Sequence, residues 1–350
     1  MGSHGGMIAV ILAAVLFGAS TPIAKLLLAH TSPWLLAALL YFGSGAGLWV
    51  VRLVCRAPTV HLKVSDRFWL AGAIVTGGMT APVLLMVGLS GMPATEASLL
   101  LNAEGVLTVL LAWFVFKENF DRRIALGMFA IIAGALVLSW PHDTQFSGSW
   151  SAFAVFGACL AWGIDNNLTR KVSLSDASFI AMTKGLVAGS TNLVLAMFTH
   201  ATWPEPSQVA GALCLGFASY GASLTLFVIG LRHFGTARTG AYFSVAPFFG
   251  AILAVVILNE PVTSSLLAAG LLMAVGVWLH VTERHEHAHA HNPLEHAHEH
   301  KHGAGDDHHA HSHGEHEAYE TKNIHSHSHR HLAMTHSHPH FPDAHHRHAH

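Results

Sequence analysis

The chain has 350 residues, of which 52% are apolar and only 11% charged, with a formal net charge of −2 and a mean hydropathy of +0.44. Soluble domains carry about a quarter charged residues, so this composition excludes an ordinary soluble globular protein. The faint acidity and the lack of any basic, aromatic-rich patch exclude a nucleic-acid-binding surface.

A bilayer core about 30 Å thick takes about 20 apolar residues of helix. Ten such stretches are predicted, at about 7–29, 33–54, 68–90, 94–116, 123–140, 149–169, 178–199, 207–231, 236–258 and 263–281. The first lacks a basic n-region and an A-x-A cleavage site, so it is read as a retained helix rather than a leader. The links are short and rich in turn formers, as at Pro141-His142-Asp143 and Trp203-Pro204-Glu205-Pro206. Pro22, Pro82 and Pro247 fall inside the first, third and ninth stretches, where each removes an intrahelical hydrogen bond and marks an expected helix break. Cys55, Cys159 and Cys214 are dispersed in or beside apolar sequence, which excludes a disulfide framework and is read as three buried thiols.

Lysine and arginine set the expected orientation. Arg52, Arg56, Lys63 and Arg67 follow the second stretch, Lys117, Arg122 and Arg123 the fourth, Arg170 and Lys171 the sixth, and Arg232 precedes the ninth. The links after the odd-numbered stretches carry neither residue. Basic links stay cytoplasmic, so both termini are expected inside and the expected location is the cell inner (plasma) membrane.

The halves repeat. Ala94–Phe120 aligns without a gap on Thr236–Val262, bringing Ala112 onto Ala254 and Glu118-Asn119-Phe120 onto Glu260-Pro261-Val262. Gly88-Leu89 falls on Gly230-Leu231, Phe17-Gly18 on Trp162-Gly163, and Lys25 on Arg170. Five helices per half turn the second copy upside down, a known transporter device. The expected organisation is a five-helix repeat over 1–140, its inverted partner over 141–282, and a tail over 283–350.

On these doubled residues the chain resembles the drug/metabolite transporter superfamily, in its EamA-like branch, over about residues 7–281. The resemblance implies ten helices in two inverted repeats and alternating-access transport of small metabolites, often amino acids. Such proteins often carry an arginine early in the second helix of each half; Tyr41 and Lys184 hold those places here.

Charge at bilayer depth is costly, about 2.5–3.5 kcal/mol on insertion scales, and marks water-filled paths. Glu104, mid-way along the fourth stretch between Ala103 and Gly105, is the leading candidate for a coupling or substrate-ammonium site, with Asn102 beside it. Lys184 is its expected counter-charge, or that of an anionic substrate group. Trp162 and Tyr242 are expected to supply an aromatic wall. Pro247 is repeat-matched to Gly105, which puts flexible backbone at the middle of both fourth helices. Asp165, Asn166 and Asn167 are read as an interfacial helix end, and Glu96 and Arg238 as helix-start residues.

Beyond Glu283 the composition changes: all but seven of the 31 histidines lie from His285 onward, among Glu, Asp, Ser, Gly and Ala. Such a segment cannot offset its ordering entropy by burial and is expected to be disordered. Histidine recurs at every second residue in runs such as His285, His287, His289, His291 and His325, His327, His329, His331. His296, His298, His300 and His302 repeat the pattern between them. Neutral imidazoles at this spacing suit divalent Zn, Ni, Co or Cu.

Three functions stand. One is a metabolite transporter whose tail buffers or senses metal; another is a divalent-metal efflux transporter whose tail collects the ion; the third is a metal-binding membrane sensor without transport. No hydrolytic triad or phosphate-cradling loop argues for catalysis, and no cofactor is required. The expected partners are a small-molecule substrate, the lipid bilayer and divalent metal ions, with a homodimer compatible with the reading.

Overall fold

The structure is a computed structural model that describes residues 3–60, 62–115, 122–139, 149–173, 175–282, 286–291, 294–301, 324–331 and 334–339. Up to residue 282 every described element is helical: α1 (Ser3–Gly18), α2 (Ser20–Leu28), α3 (Pro33–Val54), α4 (Val64–Ala73), α5 (Ala81–Ser90), α6 (Ala94–Leu100), α7 (Asn102–Phe114), α8 (Arg122–Ser139), α9 (Ser149–Val172), α10 (Ala177–Phe198), α11 (Pro206–Gly216), α12 (Ser223–Phe243), α13 (Ala246–Leu258) and α14 (Ser264–Val281). Wide π-helical turns at Ile74–Thr80 and Phe217–Ala222 join α4 to α5 and α11 to α12.

Six helical runs are long and apolar enough to cross a membrane, and three shorter apolar helices accompany them. The remaining stretch is α9, 24 residues long, which carries Asp165, Asn166 and Asn167. Up to residue 282 the chain is therefore all-α, and it is a multi-pass membrane protein. Its polarity is arranged to match. Trp49, Phe68, Phe114, Phe129, Trp150, Phe198, Val256 and Leu271 are exposed on the perimeter, while Ser20, Ser44, Asn102, Thr108, Asp165 and Lys184 are buried. Water would favour the opposite arrangement; a lipid surround favours this one.

The proline breaks have a common form. Pro22 is the third residue of α2, after an interruption at Ala19; Pro82 is the second residue of α5, directly after the first π turn; Pro247 is the second residue of α13, after Ser244–Val245. A proline is harmless in a first turn, where its missing N–H has no intrahelical acceptor to satisfy. Each proline thus opens a new helical segment rather than kinking an old one.

One predicted boundary moves. The link expected at 232–235 lies inside α12, which runs to Phe243. In the first half the matching link holds Pro93, which stops α5 from running into α6; its counterpart Gly235 leaves the hydrogen-bond ladder unbroken. Two of the three thiols expected to be buried, Cys55 and Cys214, are exposed, and only Cys159 is enclosed. Cys55 lies in the turn just after α3 and Cys214 on α11, both exposed at the perimeter, where a small apolar side chain is at home.

The halves meet through equivalent helices, α3 against α10 and α8 against α14. At the first crossing the backbones nearly touch: a Cβ on Gly185 would lie 2.4 Å from the Gly45 nitrogen. Small residues permit this approach, which is how membrane helices gain packing energy without a hydrophobic driving force.

In the segment expected to be disordered, the structure describes four strands: β1 (Glu286–His291), β2 (Leu294–Lys301), β3 (Ile324–His331) and β4 (Met334–Pro339). β1 pairs antiparallel with β4, and β2 with β3. Two-residue periodicity suits a strand, yet a two-stranded ladder is at best marginally stable in water. His285 and His302 lie outside the described residues.

Candidate substrate site

Both fourth helices are interrupted at the same depth of the repeat. Leu101 separates α6 from α7, and Ser244–Val245 separates α12 from α13. Against the first break lies Glu104, in the first turn of α7; against the second lies Pro247. The two breaks and the neighbouring helices line a pair of adjoining pockets. Phe17, Glu104, Asn166, Phe227 and Phe243 belong to both.

The carboxylate is held from α9. Asn166 Nδ2 donates to Glu104 Oε1 at 2.9 Å and reaches Thr108 Oγ1 at 3.3 Å. Next to it, Asn167 Nδ2 donates to the carbonyls of Thr108 (3.0 Å) and Gly163 (2.9 Å), locking α7 to α9. Asn102 is 1% exposed; its amide nitrogen donates to Leu99 O at 3.1 Å, which fixes its oxygen as a buried acceptor that has no partner. Gly105 and Pro247 also line this chamber.

The aromatic wall depends on a π turn. Adding a residue to a helical turn takes a carbonyl out of the regular ladder, and such turns recur at functional sites. Here Gly77 O accepts hydrogen bonds from Tyr41 OH (2.7 Å) and Trp162 Nε1 (3.0 Å). Both side chains are thereby anchored beside the chamber that they line. Phe17 bridges the wall, with ring centroids 5.7 Å from Trp162, 5.7 Å from Tyr220 and 5.3 Å from Phe243.

Lys184 does not face Glu104. Its ammonium lies 2.5 and 2.7 Å from the two oxygens of Asp165 and 3.2 Å from Thr169 Oγ1, so each of its three protons has an acceptor. Lysine and aspartate are 1% and 4% exposed. Gly77 makes room for this pair, since a Cβ there would overlap the Asp165 carboxylate. The aspartate expected at an interfacial helix end is therefore a buried charge, because α9 continues to Val172 and carries Asp165 deeper than the predicted boundary at 169. Tyr242 packs on Phe234 at 5.8 Å and does not line the chambers; its neighbour Phe243 does.

Near the start of α6 two charged side chains reach backbone groups, one from the second half and one from the first. Glu260 accepts from the backbone N–H groups of Ala94 (2.7 Å) and Thr95 (2.8 Å) at the start of α6. Lys25 donates to the carbonyls of Leu89 (2.7 Å) and Met92 (2.9 Å) at the end of α5 and just beyond it. Charged side chains here satisfy backbone groups that a broken helix leaves unpaired.

The model of the EamA-like transporter family matches residues 4–140 and again 149–282. The chain belongs to the EamA-like transporter family. An uncharacterized transporter of Methanothermobacter thermautotrophicus is 28% identical over 295 residues, covering 78% of this chain and 85% of that one. A probable amino-acid metabolite efflux pump of Salmonella typhimurium is 26% identical over 289 residues, covering 77% and 93%. A solved crystal structure superposes with a TM-score of 0.65 at 18% identity, over 79% of this chain and 98% of that one. This last likeness speaks for the fold alone. Two family repeats, end to end, account for the doubled π turns and the doubled mid-helix breaks.

Proposed function

We propose that this EamA-like protein is a secondary transporter that carries a small metabolite or drug-like molecule across the inner (plasma) membrane by alternating access, with Glu104 at its substrate site. The observation that carries this is Glu104, a carboxylate lining both pockets and held by the neutral amide of Asn166, set where the two inverted repeats break their fourth helices. Broken helices at mid-membrane are where transporters bind substrate. The transport activity named for the Salmonella relative supports the same reading. We assign both termini to the cytoplasm, on the alternation of basic links.

The histidine tail, in this reading, binds divalent metal as a cytoplasmic buffer or sensor. The strand register supports it: His296, His298 and His300 pair with His329, His327 and His325. In the second ladder His287 and His289 stand opposite His338 and His336. Metal efflux through the core finds less support, since no group of three His, Cys, Asp or Glu able to hold an ion gathers among the described residues.

Reconstitution in vesicles tests the proposal. Candidate metabolites should be moved by the full-length protein, and also by a chain truncated after Glu283 with no metal present. Glu104→Gln, close in volume but uncharged, should stop movement while leaving the protein folded. Undiminished transport by that variant would remove Glu104 from the mechanism; movement of Zn, Ni or Co in place of any metabolite would favour the efflux reading.

A further inference from the structure

We propose that the substrate chamber selects organic monocations, amines with an apolar or aromatic body and no carboxylate of their own, over amino-acid zwitterions and anions. This rests on the transporter reading above and narrows it.

Charge in the chamber decides the point. Of the three charged side chains that meet around it, Lys184 and Asp165 neutralise one another through two short contacts, and Thr169 takes the remaining ammonium proton. Glu104 is left as the one carboxylate without a lysine or arginine in contact; its single described hydrogen bond comes from a neutral amide, Asn166. A second acceptor belongs to the same pocket: Asn102 lines it too, and its buried oxygen has no partner while its amide nitrogen is bonded to Leu99. An unpaired buried acceptor is costly, and an ammonium held between Asn102 and Glu104 would satisfy both.

The rest of the lining fits the body of such a molecule. Phe17, Tyr41, Trp162, Tyr220 and Phe243 form a connected set of rings, neighbouring centroids lying between 5.2 and 5.7 Å apart. Ring faces attract a cation and ring edges and faces together pack an apolar group. A zwitterion would fare differently. Its ammonium could use Glu104, but its carboxylate would find no free cation, because Lys184 is consumed by Asp165. Freeing Lys184 would leave a buried aspartate unpaired, which is a heavy cost. An anion would meet Glu104 with nothing to offset the repulsion.

A charge series on one scaffold tests this with the full-length protein in nanodiscs: 2-phenylethylamine, L-phenylalanine and 3-phenylpropanoate, titrated by calorimetry at pH 7. The amine should bind at least tenfold more tightly than either of the others. Glu104→Gln should weaken it at least tenfold, and Asn102→Leu by a smaller factor. The series on the unmutated protein needs no variant to fold. Equal or tighter binding of phenylalanine or phenylpropanoate, undiminished binding to Glu104→Gln, or no binding of the amine would each overturn the proposal. Transport separates the two readings. Vesicles that move phenylalanine and not the amine keep the transporter and lose the substrate class; amine binding with no movement of any solute keeps the site and loses the transporter.

Discussion

The two halves of the bundle share a backbone and differ in chemistry. Both carry a π turn in the third helix, at 74–80 and 217–222, and both interrupt the fourth at matched places. Yet Glu104 of the first half corresponds to Ala246 of the second, while Ser20 and Tyr41 of the first stand where the second has Asp165 and Lys184. Tyr41 and Ser20 are satisfied by neutral hydrogen bonds to Gly77 O and Phe17 O. Their counterparts form a buried ion pair instead. Departures from the repeat make the lining of the pockets one-sided: a charge-neutral cluster on the α9–α10 side and an acid, Glu104, on α7.

The strongest way to break this comparison is to disable the ion pair. Asp165→Ala should be the most destabilising single change considered, by about 3–5 kcal/mol, because it strands a buried ammonium. Adding Lys184→Met should recover most of that loss, since both charges are then gone. Thermal unfolding in detergent measures both. A single variant as stable as wild type would mean that Lys184 finds another partner, and the neutral-cluster account would fall with it.

Where the halves touch, a smaller effect is expected. Gly185→Ala places a methyl group within 2.4 Å of the Gly45 nitrogen, a contact with backbone that cannot swing away. Overpacking of this kind typically costs about 1–3 kcal/mol. Gly240→Ala is the control, since a Cβ there meets nothing within 4 Å. Replacing glycine by alanine within a helix should stabilise by up to about 1 kcal/mol. Equal melting temperatures for the two variants would refute the close crossing of α3 and α10.

Much of this was legible beforehand. Hydropathy marked the spans, the repeat offset matched the two broken fourth helices, and Glu104, singled out from its charge, lines the pockets beside the first break. What escaped were features set by rotation and long-range pairing. Asp165 and Lys184 are 19 residues apart on different helices, and no local pattern announces their contact. A span ended three residues early at 169 was enough to turn Asp165 from a buried charge into an interfacial one. Phe243, not Tyr242, lines the pockets, and one residue along a helix is about 100° of rotation. The π turns have no sequence signature that hydropathy could find, although both contain glycine. In the tail, spacing revealed the histidine alternation but not which runs would stand opposite each other.

The finest expected difference between the halves lies at the start of their second helices. Ser32 caps α3 by accepting from Leu35 N at 3.3 Å, and Asp176 caps α10 by accepting from Phe179 N at 2.8 Å. Only the second cap can titrate. Burial alone would push the Asp176 carboxyl up, but hydrogen bonds from Ser178, the Phe179 N–H and Arg52, together with the Arg52 charge, outweigh it and hold the pKa below the ordinary value of 3.8. A folded-state pKa below the unfolded one means that the unfolded chain binds the proton more readily. The cap's contribution is therefore complete above about pH 5, declines as pH falls past 3.8, and is gone below the folded-state value. Removing it with Asp176→Ala should cost about 0.5–2 kcal/mol at neutral pH, and the gap to wild type should close in acid. Asp176→Ser transplants the first half's cap: it should keep much of the neutral-pH stability while losing the acid sensitivity that belongs to this carboxylate. Melting temperatures of the three proteins between pH 3 and 7 decide it. Parallel curves for wild type and Asp176→Ala would show that the carboxylate's charge adds nothing to the cap.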